Sequence, residues 1–143
     1  MKPLVIAALA SAMSGALAGT STAALADDPR AVACVFGTGA AQVYSNGAFK
    51  SEPASPISFE IAEIDAGKQT AVHKSRNGEG PLRVVRAVNA LHYLEVVSEG
   101  YLNITTVYDR DAATGKHPAV HSRHFGLLGE AIVAQYQGFC TAR

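Results

Sequence analysis

The residues best placed to do chemistry form one short run, His117-Pro118-Ala119-Val120-His121-Ser122-Arg123-His124. In an extended chain, alternate side chains share a face. His121 and Arg123 then stand together, with His117 as the third candidate member, while Ser122 and His124 turn away with Val120. Imidazole and guanidinium groups on one face can hold a carboxylate or phosphate. Two imidazoles can also supply part of a zinc site, which takes nitrogen ligands and needs three or four in all. His73, His92, Glu95 and Asp109 could complete such a set, but no spacing ties them to the run, so no metal ligands are assigned. The plainer expectation is a solvated strand, with surface histidines and an Arg123 that lays its stem along the surface. His117, His121 and Arg123 stand as the candidate ligand- or anion-binding residues.

Other chemistry-bearing patterns fall short. Asp109-Arg110-Asp111 with Gly115 hints at a calcium loop, but the glycine is one place late and Val120 stands where the closing glutamate belongs. There is no G-x-S-x-G nucleophile turn. Gly37-Thr38-Gly39 lacks the strand-to-helix frame of a phosphate cradle. Glu60, Glu63 and Glu95 could supply paired carboxylates, but alternation turns Glu60 outward. Asn103-Ile104-Thr105 has the form of a glycosylation acceptor. No catalytic residue, metal or cofactor is assigned.

The elements that must position these residues read as strands. Short stretches rich in Val, Ile, Thr, Tyr and Phe are cut by Gly, Asn, Asp and Pro. Arg30 to Phe36 is the first strand, ended by Gly37-Thr38-Gly39. Asn46-Gly47 between Gln42-Val43-Tyr44-Ser45 and Ala48-Phe49-Lys50 marks a two-residue hairpin, because the turn needs positive φ angles. Glu52 to Pro56, with two prolines, reads as a loop. Ile57 to Ile61 alternates apolar and polar, and the slip at Ala62-Glu63-Ile64 suggests a bulge. Asp65-Ala66-Gly67 is a turn and Gln69 to His73 the returning strand. Asn77 to Pro81 reads as a further turn. Strands follow at 82–88, 91–98 and 101–108, then a polar loop at 109–116. Ala119 to Phe125 and Ala131 to Phe139 complete the set. Leu127 to Tyr136 has some helical spacing, but Gly126, Gly129 and Gly138 oppose a helix. The expected fold is all-β, a small antiparallel barrel or compact sandwich of about seven to nine short strands.

Residues 1–26 carry a different signal. Lys2, the apolar run from Leu4 to Leu9 and the small-x-small Ala24-Leu25-Ala26 have the order of a cleaved secretory signal peptide. The apolar stretch, broken by Ser11, Ser14 and Gly15, falls short of the roughly 20 residues of a membrane span. Residues 27–143 are then expected to fold as one β-rich domain, secreted or periplasmic. Ala31-Val32-Ala33-Cys34 resembles a bacterial lipoprotein box in part, but Asp27 to Arg30 separate it from the apolar run. The chain has two cysteines, Cys34 and Cys140. In an exported protein they are expected to pair, which brings the chain ends side by side. The formal net charge is zero, so loss of Lys2 with the leader leaves about −1. That balance offers nothing to neutralise phosphates and argues against a nucleic-acid partner.

In layout the chain looks like small exported binding or inhibitor domains, a likeness of format that does not fix function. The expected role is a non-catalytic envelope protein that binds a small ligand or a protein. The alternatives are a metal- or anion-dependent enzyme built on His117, His121 and Arg123, and a structural component of the envelope.

Overall fold

The computed structural model describes residues 28–98, 101–127 and 130–143. The proposed leader at 1–26 lies outside the described residues. The described residues form ten strands: β1 (Val32–Phe36), β2 (Gly39–Ser45), β3 (Ala48–Ala54), β4 (Ile57–Asp65), β5 (Thr70–Ser75), β6 (Gly78–Arg86), β7 (Ala90–Ser98), β8 (Tyr101–Tyr108), β9 (His117–Leu127) and β10 (Glu130–Ala142). Eight of them, β1 and β4 through β10, close into an antiparallel barrel because β1 pairs with both β4 and β10. Among the described residues no helix is long and apolar enough to cross a membrane.

Closure is made by one long strand. β10 lies along β9 through its length, while its other edge is shared between β1 and β2. The handover falls at Gly37-Thr38, where the Gly37 N–H donates to Gln137 O at 3.3 Å. Past this break β2 leaves the barrel and pairs with β3, so the β2–β3 hairpin stands out from the wall as a lip. Gly138 of β10 pairs with Phe36 at the handover. A Cβ at Gly138 would lie 2.1 Å from Val35 O and 2.8 Å from Phe36 Cα, so only glycine lets the two backbones approach.

Cys34 and Cys140 are direct partners in the β1–β10 register and form a disulfide. It fastens the seam of the barrel and is fully buried. A disulfide also leaves no sulfur on Cys34 for a lipid thioether. The first turn forms as its residues require: Asn46 and Gly47 adopt φ of 53° and 81°. The slip in β4 is a bulge between Ala62 and Asp65, with Glu63 at φ 54°.

Alternation fills the interior. Val32, Cys34, Phe36, Phe59, Ile61, Val84, Leu91, Tyr93 and Tyr136 make one continuous core. An eight-stranded barrel is just wide enough for side chains to fill it, so the middle is packed and is no channel.

Two sequence expectations need correction. Glu52 to Pro53 is not loop but part of β3, since Pro53 sits on a strand with one free edge, where its missing N–H costs no ladder bond. Asn77 to Pro81 is not all turn. The turn ends at Asn77, and β6 starts at Gly78 and carries Pro81 opposite Val72. The segment Leu127 to Tyr136 contributes to β9 and β10, with no helix among its described residues.

The disulfide closes a chain segment of 106 residues. Replacing both cysteines by serine is expected to lower unfolding stability by about 4 kcal/mol, read from urea denaturation with a larger m-value, since the denatured chain is no longer cross-linked. A loss under about 1 kcal/mol would show that the seam holds without it.

Candidate functional site

The two ends of the barrel differ, and the run from His117 to Arg123 connects them. β9 enters at the end where the described chain termini meet and leaves at the end of the β5–β6, β7–β8 and β9–β10 connections. His117 and His121 both point inward and are buried, at 9% and 3% exposure. The solvated strand with surface histidines is therefore wrong for these two, because the inward face of a barrel strand is core. His124, on the outward face, is exposed. His117 does not join His121 and Arg123 as a site. Four residues of extended chain separate it from His121 by about 13 Å along the strand.

At the connection end the structure gathers residues that no spacing linked. His121 on β9, His73 on β5, Glu95 on β7, and Asn103 and Thr105 on β8 all face inward. Glu95 takes the central place. One carboxylate oxygen lies 3.2 Å from His73 Nδ1, and the other accepts from Asn103 Nδ2 at 2.8 Å. The His73 hydrogen bond, aided by that of Asn103, holds the Glu95 carboxyl below its usual range despite burial. The Asn103 Oδ1 atom is buried with no hydrogen-bond partner among the described residues. With its amide inside the barrel, Asn103 is closed to a glycosyltransferase in the folded chain.

His121 is fixed in one tautomer by its neighbours. Arg123 Nε, always a donor, gives its proton to His121 Nε2 at 3.3 Å. Nδ1 therefore carries the ring proton and donates to Thr105 Oγ1 at 2.8 Å. The rings of Phe36, Phe59 and Tyr136 lie 5.7, 5.2 and 5.9 Å from the imidazole. This burial, together with the Arg123 charge, lowers the His121 pKa to about 4. The Arg123 guanidinium also lies over the Tyr136 ring at 5.9 Å.

The arrangement does not activate a nucleophile. A general base must present a lone pair to the hydroxyl it deprotonates, but His121 presents an N–H to Thr105. Both cysteines are consumed in the disulfide. His92 turns to the outer face, where its Nδ1 meets Thr106 Oγ1 at 2.8 Å. Asp109 lies at the opposite end of the barrel. Among the described residues no three His, Cys, Asp or Glu side chains converge as metal ligands. The polar loop at 109–116 is closed on itself, because Asp111 Oδ1 accepts from the Thr114 N–H and hydroxyl, both at 2.8 Å.

The terminal end holds a concavity of about 610 Å³. Its floor is Leu91, Tyr93 and Val107, beside Ala90. Burial keeps the Tyr93 hydroxyl protonated, with its pKa raised well above the usual phenol value. Arg86, Arg110 and Arg143 line the rim with Asp28 and Asp109. Arg86 and Asp28 form an ion pair across the mouth. His117 lines this concavity too, and its Nδ1 donates to the Tyr108 carbonyl at 2.8 Å, leaving Nε2 as the acceptor of the neutral ring. Nothing in the spacing of Tyr93, Arg86 or Arg110 ties them to one site. No known protein family matches the chain, and no curated protein is similar to it.

Acid is expected to weaken the fold through the polar cluster. His121 has a folded pKa of about 4, below the ordinary value near 6.5. The unfolded chain therefore takes up this proton first. Stability is full above about pH 6.5 and falls as pH drops toward 4, by on the order of 3 kcal/mol. Glu95, whose folded pKa is depressed, adds loss in the same direction at lower pH. Thermal melts from pH 7 to 4 should show this fall, and His121→Asn should flatten its upper part. An equal slope in wild type and variant would assign the acid sensitivity elsewhere.

Proposed function

We propose that the chain is an exported, non-catalytic β-barrel domain that binds a small ligand at the end where its termini meet. The observation that carries this reading is the concavity of about 610 Å³. It has the size of a small-molecule site, a largely apolar floor and a few convergent polar groups. Leu91, Val107 and the Tyr93 ring suit an apolar body. Three arginines against two aspartates on the rim favour one anionic group on that body. His117 adds a ring nitrogen that accepts a hydrogen bond when neutral.

Binding is favoured over catalysis for a physical reason. The imidazole that meets a hydroxyl inside the barrel, His121, has both ring nitrogens engaged, and its low pKa makes it a weak base. Among the described residues the concavity places no cysteine, serine or threonine beside His117. Export rests on the leader-like order of residues 1–26, and the Cys34–Cys140 disulfide suits an oxidising compartment, the periplasm or the exterior.

The probe for the site is anilinonaphthalene sulfonate, a fluorescent aryl anion. The native barrel is expected to bind it saturably, one to one, with a Kd of micromolar order. Val107→Phe, which adds bulk to the inward face of β8 at the floor of the concavity, should weaken binding tenfold or more. Arg110→Glu, on the exposed 109–116 loop, should weaken it several-fold without touching the core. Absence of saturable binding, or equal binding by both variants, would overturn the assignment.

Expression with residues 1–26 in a secreting bacterial host is expected to release a chain that begins at Asp27. A chain kept in the cytosol with its leader attached would remove export from the proposal.

A further inference from the structure

The barrel has no free edge among its eight strands, but the lip does. Among the described residues β3 pairs only with β2, so one side of a seven-residue strand, Ala48-Phe49-Lys50-Ser51-Glu52-Pro53-Ala54, has no partner there. Which backbone groups face that side follows from the turn. In a two-residue hairpin the flanking residues exchange backbone hydrogen bonds, and here these are Ser45 and Ala48. Ala48, Lys50, Glu52 and Ala54 therefore aim their N–H and C=O groups at β2. Phe49, Ser51 and Pro53 aim theirs at the open edge.

We propose that β3 is the contact through which two copies of this chain associate, edge to edge and antiparallel, about a two-fold axis through Ser51. The strand is close to self-complementary in this register. Ser51 meets its own copy, and the two residues exchange N–H···O=C bonds. Phe49 meets Pro53, and the Phe49 N–H donates to the Pro53 carbonyl. Proline's missing N–H costs one bond on each side of the axis and no more. Lys50 meets Glu52, twice by symmetry. These are non-hydrogen-bonded positions, where facing side chains come closest, and opposite charges there are favourable.

The other face of the hairpin supplies apolar area. Phe49 is 60% exposed and Tyr44 42% exposed, and their rings pack against each other at 5.0 Å. The two-fold lays this pair beside the Pro53 ring of the second copy. An isologous contact uses the same patch on both subunits, which is what the facing of Lys50 and Glu52 within one strand provides. Lysine and proline on an edge commonly discourage pairing. In this register the lysine has a carboxylate opposite, and shifting the strand by two residues removes both ion pairs. A two-strand contact lies at the small end of protein interfaces, so the association is weak.

The inference does not depend on the ligand site at the terminal end, and its test reads a different quantity. Sedimentation equilibrium on the exported chain should show a reversible monomer–dimer equilibrium with a Kd between micromolar and millimolar. Lys50→Glu alone and Glu52→Lys alone place like charges opposite each other, and each should weaken association about tenfold or more. Mixing these two variants should restore association as a heterodimer, and the double swap K50E/E52K should restore the homodimer. Circular dichroism checks that each exposed-site variant stays folded. A wild-type chain that remains monomeric at millimolar concentration, or a dimer indifferent to Lys50→Glu, would overturn the proposal. A monomer that instead pairs with an unrelated extended peptide at β3 would overturn it as well.

Discussion

The pairing of β10 with β1 is the constraint on which the rest depends. A sheet of these strands left open would expose two edges and could not surround a core. Closure forces Cys34 opposite Cys140 and makes the near-coincident ends of the described chain part of the structure. It also demands glycine at 138, since β1 approaches β10 more closely there than a side chain allows. The terminal segments are held on either side of the seam. Ile64 donates to the Arg30 carbonyl at 2.9 Å, and Arg143 to the Ala31 carbonyl at 3.0 Å. Asp28 and Arg143, on the rim of the terminal concavity, thus lie beside segments that closure itself positions.

Closure also decides how the interior is divided. Every inward side chain shares a narrow lumen with the residues at its own height. The middle is apolar and packed. At the connection end, His73, Glu95, Asn103, Thr105 and His121 fall at adjoining heights on neighbouring strands and satisfy most of one another's hydrogen bonds. Burying such groups costs free energy unless they are paired, and the pairing is nearly complete, with Asn103 Oδ1 the exception. At the terminal end the packing stops short and leaves a concavity. The polar cluster therefore stiffens one end of the barrel, while the other is open to a ligand.

Local signals in the chain carried over well, and signals that depend on neighbours did not. Asn46-Gly47 dictates its hairpin because the φ requirement is local. Alternation along Ile57 to Ile61 and the slip at Glu63 are equally local. The two cysteines allow one intramolecular pairing, and the structure has it. Pro53 and Pro81 misled because proline's cost depends on whether a partner strand lies on its N–H side, which a single chain does not reveal. The shared face of His121 and Arg123 was legible from period-two alternation. That the face is core was not, because burial is decided by the strands opposite. The convergence of His73 and Glu95 on His121 was equally hidden, since strands remote in sequence bring them to one height. His117 has the right parity for the same face but stands at the other end of the lumen. Parity gives the side of a strand and says nothing about height.

A closed barrel normally removes the hazard of open edges, yet this one creates an edge by splitting its first strand at Gly37-Thr38. β10 is too long for β1 alone, so β2 takes the remainder and must find its own partner in β3. The hazard is thereby moved away from the barrel wall and confined to a single short strand. Pro53 removes one donor from that strand, and the Lys50 and Glu52 charges penalise most registers by facing like with like or charge with alanine. An edge so treated resists indiscriminate growth of the sheet, because each added strand must match both the missing donor and the charges. The one arrangement that satisfies both is two-fold and self-limiting, since pairing two β3 edges uses up the free strand edge found among the described residues.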